Sequence, residues 1–151
     1  MAHSLSGVYV HLVFATKDRR RFLMDRVVRQ DVHQYMVGIT SARNSKAVIV
    51  GGVEDHVHLL INLGRTVTIA DLVRDIKRGT STWIKENGPE YGDFQWQSGY
   101  AAISVGKTQI DALISYISNQ EEHHNIRGFQ DEYRTLLFEA GIQLDEKYMW
   151  E

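Results

Sequence analysis

The chain of 151 residues contains no cysteine and a single proline, Pro89. Without cysteine there is no disulfide and no thiolate metal site, which suits a reducing compartment, and a cytoplasmic location is expected. Nothing resembling a Gly/Ser-rich linker or low-complexity stretch breaks the chain, so residues 1–151 are expected to form one domain. No apolar run approaches the ~20 residues that a bilayer crossing needs, and Met1 to Gly7 lacks a secretion-signal pattern, so no membrane partner is expected. An excess of positive charge is missing too: 17 Lys and Arg against 19 Asp and Glu leave a net charge of -2. A domain held to nucleic acid by bulk electrostatics is usually basic, so any such contact must be local. The two basic clusters are Lys17-Asp18-Arg19-Arg20-Arg21 and Lys77-Arg78.

What is present is a clear alternation of periods. Val8 to Thr16 is rich in β-branched and aromatic residues and reads as a strand. Met24 to Ala42 carries apolar residues at Val27, Val28, Val32, Tyr35, Met36 and Ile39, a helical spacing. Lys46 to Val53 and His56 to Leu63 read as two strands of a hairpin about Glu54-Asp55. Thr68 to Glu86 is a second helix, with Thr68 as N-cap and Asn87-Gly88-Pro89 as its stop. Trp96 to Val105 reads as a fourth strand, Thr108 as the cap of a helix reaching about His123, and Gln130 to Ala140 as a last helix. The order β-α-β-β-α-β predicts an α+β fold of ferredoxin-like or RRM-like type, an antiparallel sheet with helices on one face and a further C-terminal helix.

On a strand alternate residues share a face, so His56 and His58 project together, their imidazoles about 6–7 Å apart along the chain. Two such rings can converge on one divalent ion, and Glu54 has the parity to orient them. On the helix after Thr108, Ile110, Leu113, Ile114 and Ile117 form an apolar stripe, and Tyr116 and Gln120 fall about 40° apart at its edge. His123 lies on the same edge and competes with Gln120 as a ligand. A tyrosine hydroxyl with a pKa near 10 is a poor nucleophile at neutral pH, and a divalent ion beside it would offset the charge of a phosphate under attack. With two imidazoles and a neutral amide but no carboxylate ligand, metal binding is expected to be weak until DNA supplies oxygens. Mixed nitrogen and oxygen ligands suit manganese and allow magnesium.

This pattern resembles the single-tyrosine HUH transposases of the smallest prokaryotic insertion sequences and their domesticated, palindrome-associated relatives. The residues that carry the resemblance are His11 to Lys17, the motif His56-Val57-His58, Trp96-Gln97-Ser98-Gly99-Tyr100, the run Tyr116 to His124, and Phe129-Gln130-Asp131-Glu132-Tyr133. The resemblance implies a DNA strand transferase. Tyr116 would attack single-stranded DNA to give a 5′-phosphotyrosine and a free 3′-hydroxyl, with Mg2+ or Mn2+ held by His56, His58 and Gln120. It further implies recognition of DNA hairpins and a homodimer whose tyrosine helices can act in trans. For the DNA track the candidates are Lys17, Arg19, Arg20, Lys77, Arg78 and Lys107. Three other readings compete: a host-retained nuclease acting on palindromic repeats, a non-catalytic ferredoxin-like domain whose sheet binds nucleic acid, and a ferredoxin-like small-molecule or assembly module in which the histidine pair is only structural.

Overall fold

A computed structural model describes residues 4–122, 128–143 and 145. In chain order its regular elements are β1 (Tyr9–Ala15), α1 (Arg26–Ala42), β2 (Lys46–Gly52), β3 (His56–Asn62), α2 (Ile69–Lys85), β4 (Ala101–Val105), α3 (Ile110–Ser118) and α4 (Phe129–Glu139). The strands form one sheet in the order β2-β3-β1-β4 with every neighbouring pair antiparallel. That is the split β-α-β arrangement expected from the element order.

The two central strands are β1 and β3, and both are buried along almost their whole length. Their near-continuous apolar composition follows, because each faces a packed layer on both sides. On one face Val10, Leu12 and Phe14 of β1 meet Val57, Leu59 and Ile61 of β3, and α1 and α2 close this core with Val32, Met36, Leu72 and Ile76. Truncating one of these fully buried side chains, Leu59 for example, would cost about 2–5 kcal/mol.

The opposite face carries the residues of the other parity: Val13 and Ala15 on β1, His56 and His58 on β3. Here α3 and α4 form the cover. A second apolar cluster joins Val13, Ala15 and Ala101 to Phe129, Tyr133 and Leu137 of α4. Thus α1 and α2 share one face as expected, while the C-terminal helices occupy the other. α3 comes close because Gly51 has no side chain. A Cβ there would sit 2.6 Å from the Ile117 carbonyl oxygen and 2.8 Å from its Cγ2.

Helix starts follow their caps. The Asp25 carboxylate accepts from the amides of Val27 and Val28, so α1 begins at Arg26 and not at Met24. The Thr68 hydroxyl accepts from the Asp71 amide, as expected for α2. Thr108 does not cap α3; it lies inside a 3-10 turn, Lys107–Gln109, and the Gln109 side chain accepts from the Gly106 amide. β4 is shorter than expected, starting at Ala101 instead of Trp96. Trp96 makes one isolated bridge with Thr16, and residues 97–100 run outside the ladder. The tail beyond Asp145 lies outside the described residues.

Candidate metal centre and tyrosine helix

His56 and His58 point from β3 into the layer between sheet and C-terminal helices, and both are fully buried. Each ring is held from behind through Nδ1. The Asp55 carboxylate, 2.7 Å away, accepts from His56 Nδ1. His58 Nδ1 lies 2.9 Å from Nε2 of His11, which comes from β1. Fixing Nδ1 in this way leaves both Nε2 atoms directed at the same volume.

That volume is completed by two residues from the helical cover. Gln120 Oε1 is 3.0 Å from His56 Nε2. Glu132 Oε1 is 2.6 Å from His58 Nε2 and 3.6 Å from His56 Nε2. The donor atoms of His56, His58 and Glu132 all lie within 4.8 Å of one another. Although close, His58 and Glu132 are not aligned as a hydrogen bond: His58 Nε2 and both Glu132 oxygens lack a hydrogen-bond partner despite burial. Orphaned buried acceptors that converge are costly in isolation and are satisfied by a shared cation. Two imidazole nitrogens, a carboxylate and an amide oxygen form a donor set suited to a divalent metal ion. This buried His56/His58/Glu132 group can hold a metal.

The electrostatics agree. Burial pulls His56 down, but its hydrogen bond to Asp55 and its interactions with Glu132 and Asp55 outweigh this and raise it to about 9. Asp55 holds Nδ1 of this ring, and Gln120 Oε1 lies beside its Nε2. For His58 burial dominates and lowers the pKa. His11 is lowered to about 3 by burial and then by His58, and it stays neutral. Glu132 is held well below the usual carboxylate range: burial opposes this, and His56 and His58 overcome it.

Tyr116 is half-buried on α3 and its ring meets His58 edge to face, with centroids 5.8 Å apart. On the far side of the centre the Phe129 ring stacks on His56 at 4.3 Å.

Residues 4–120 match the family model described as "Transposase IS200 like". The chain belongs to the IS200-like transposase family. Among solved structures, this transposase is similar to one assigned to a transposase of Deinococcus radiodurans R1, with a TM-score of 0.62 and 23% identity over 80% of this chain and 95% of that one. It is also similar to a REP-associated tyrosine transposase bound to a REP hairpin, with a TM-score of 0.61 and 13% identity over 82% and 72% of the two chains. At these identities the two structures support the fold. No curated protein matches the chain.

The structure of this IS200-like transposase brings His56, His58, Tyr116 and Gln120 together. It changes the account of how they meet. α3 ends at Ser118, and Asn119, with φ -101° and ψ 24°, turns the chain so that Gln120 starts a new helical stretch. Gln120 and Tyr116 therefore do not share one continuous helix edge, and Gln120 is buried at 1% exposure. The expectation of a centre without a carboxylate is overturned by Glu132, which α4 places against both histidines. A signal for it was available: Phe129, Glu132, Tyr133 and Leu137 form the buried face of α4, and a carboxylate on an apolar stripe needs a partner. The orienting carboxylate on His56 is Asp55 and not Glu54, because Asp55 at the hairpin turn reaches Nδ1. His123 lies outside the described residues.

Among the basic candidates, Lys17, Arg19 and Arg20 occupy the turn after β1, where Asp18 and Arg19 adopt left-handed backbone conformations with φ 55° and 54°. Arg20 pairs with Asp93 at 2.7 Å. Lys107 is exposed before α3. Lys77 is not a free surface cation: its ammonium donates to the carbonyls of Gln97 at 2.8 Å and Gly99 at 2.7 Å, and burial lowers its pKa to about 8. Arg78 is exposed. None of the described helices is long and apolar enough to cross a membrane.

Proposed function

We propose that this transposase cleaves and rejoins single-stranded DNA through Tyr116, with a divalent cation held by His56, His58, Glu132 and Gln120. The observation that carries the reading is the buried, converging donor set with Tyr116 packed on the edge of His58. A cation bound there, Mg2+ or Mn2+, would supply charge neutralisation at a phosphate oxygen. In the step itself the Tyr116 hydroxyl gives up its proton and forms the bond to phosphorus. The bond from phosphorus to the 3′-oxygen breaks and that oxygen takes up, through solvent, the proton that the tyrosine gave up, leaving a 5′-phosphotyrosine and a free 3′-hydroxyl. Energy of the phosphodiester is kept in the tyrosyl ester, so rejoining needs no nucleotide cofactor.

The partner we propose is DNA that folds into hairpins, a reading supported by family membership and by the hairpin-bound REP-associated transposase of similar fold. Lys17, Arg19, Arg20, Arg78 and Lys107 are the proposed phosphate contacts. We further propose a homodimer in a cytoplasmic setting, with the tyrosine helix able to serve either subunit's centre, and one domain spanning the chain.

The test is a covalent-adduct assay with labelled hairpin-bearing single-stranded DNA and Mn2+ or Mg2+. The expected result is a denaturant-resistant adduct that disappears with EDTA and in Tyr116→Phe. Absence of an adduct under either metal, with hairpin binding intact, would remove the transferase reading and leave a nucleic-acid-binding domain.

A further inference from the structure

The motif Trp96-Gln97-Ser98-Gly99-Tyr100 contributes nothing to the metal centre directly, yet the chain anchors it heavily. Trp96 donates its indole N–H to the Thr80 hydroxyl on α2 at 3.0 Å. Gln97 pairs with Ala15 at the end of β1 twice, through its own amide and through its side-chain oxygen. Lys77 reaches from α2 to the carbonyls of Gln97 and Gly99, and its ammonium lies 5.9 Å from the centroid of the Tyr100 ring. Five hydrogen bonds tie this irregular segment to α2 and β1. Tyr100 at its end remains 36% exposed.

Between this segment and α2 runs a groove of about 490 Å³ lined by Arg74, Lys77, Arg78, Trp96, Gln97 and Tyr100. Helical spacing places the three cations on one face of α2. Their roles differ. Lys77 is occupied by the two carbonyls, and Arg74 pairs with Asp71 and Asp75. Arg78 has no such pairing among the described residues. A groove that offers an exposed aromatic face beside unspent guanidinium charge has the chemistry of a single-stranded nucleotide site, because any base can stack and the adjoining phosphate can be neutralised. Gln97 also lines a second, smaller cavity with Ala15, Thr16, Asp18, Arg19 and Phe129, and Phe129 stacks on His56. Gln97 is thus a wall shared by the groove and by this smaller cavity, whose Phe129 touches the metal centre.

We propose that this groove binds a nucleotide of single-stranded DNA that flanks the cleaved bond, with Tyr100 stacking the base, Arg78 holding its phosphate, and Lys77 acting as a clamp that positions the segment and not as a phosphate contact. The proposal rests on the DNA-cleaving reading of the metal centre. Its test is independent of that chemistry, because it is made in EDTA with a labelled oligothymidylate of about 15 nucleotides and a duplex of equal length. Tyr100→Ala should weaken oligothymidylate binding about tenfold while Tyr100→Phe retains it, and neither should change duplex binding. Arg78→Gln should make the dependence of log K on log salt shallower by about 0.7, the signature of one lost phosphate contact. Lys77→Met should weaken binding without changing that slope.

Wild-type affinity in Tyr100→Ala, an equal loss on duplex, or no oligothymidylate binding by the wild type at low salt would each overturn the groove. An adduct on wild type with unchanged Tyr100→Ala affinity would overturn the groove alone. Loss of affinity in Tyr100→Ala with no adduct on wild type would uphold the groove and overturn the transferase.

Discussion

Nε2 of His11 and Nδ1 of His58 lie 2.9 Å apart between two buried rings, and this pairing decides which His58 nitrogen faces Glu132. Because His11 is neutral, one ring donates and the other accepts. When His58 offers the Nε2 lone pair to a cation, its Nδ1–H must donate to His11. Replacing His11 by Phe keeps the volume but removes the acceptor. Mn2+ affinity measured by calorimetry should fall about 10- to 100-fold, whereas His11→Gln should recover part of it. Unchanged affinity in His11→Phe would show that His11 only packs.

Among the described residues Glu132 supplies the one carboxylate of the converging donors, and its removal should weaken metal binding more than removal of Gln120. Glu132→Gln is expected to lower Mn2+ affinity at least about tenfold, the lower end of what an outer-shell partner contributes. The same variant leaves hairpin binding in place, which electrophoretic mobility in EDTA would verify. Equal metal affinities of Glu132→Gln and the wild type would exclude the carboxylate from the centre.

Gly51 sets the distance between α3 and the sheet. With a Cβ only 2.6 Å from the Ile117 carbonyl, Gly51→Ala must push α3 outward and carry Tyr116 away from His58. Overpacking of this kind costs about 1–3 kcal/mol. The expected outcome is a lower melting temperature together with a slower adduct rate at saturating DNA. A variant that melts lower but reacts at the wild-type rate would place Tyr116 outside this geometry.

His33 on α1 gives the fold a pH dependence of its own. Burial, and then the nearby Arg29, lower its pKa to about 4 from 6.5. The unfolded chain therefore takes the proton first, and stability is intact above about pH 6.5 and is lost as pH falls toward 4. Between pH 7.5 and 5 this single group accounts for a loss of about 2 kcal/mol. Urea unfolding of His33→Gln should show a pH 7.5-to-5 loss smaller than that of the wild type by about that amount. Parallel curves for the two proteins would sink the assignment.

Much of the fold was legible because its signals are local. Alternation marks β1 and β3, the Thr68 cap and the stop at Asn87-Gly88-Pro89 bound α2, and the histidine parity puts His56 and His58 on one face. Three features escaped because they depend on tertiary geometry. Nothing in the sequence around residue 119 announces the turn at Asn119 that separates Gln120 from α3. Trp96 to Tyr100 has strand composition, but Lys77 and Thr80 of α2 hold it off the ladder. Glu132 was visible as a carboxylate on an apolar helix face, but its meeting with His58 requires knowing that α4 covers the histidine side of the sheet.

Tyr116 is the residue proposed to become joined to DNA. The most direct measurement is mass spectrometry of the adduct formed with hairpin-bearing single-stranded DNA and Mn2+, after digestion by protease and nuclease. The expected product is a nucleotide remnant attached through its 5′-phosphate to Tyr116, absent when EDTA is added. A remnant on another residue, such as Tyr133 or Ser118, or an adduct that forms equally in EDTA, would contradict it.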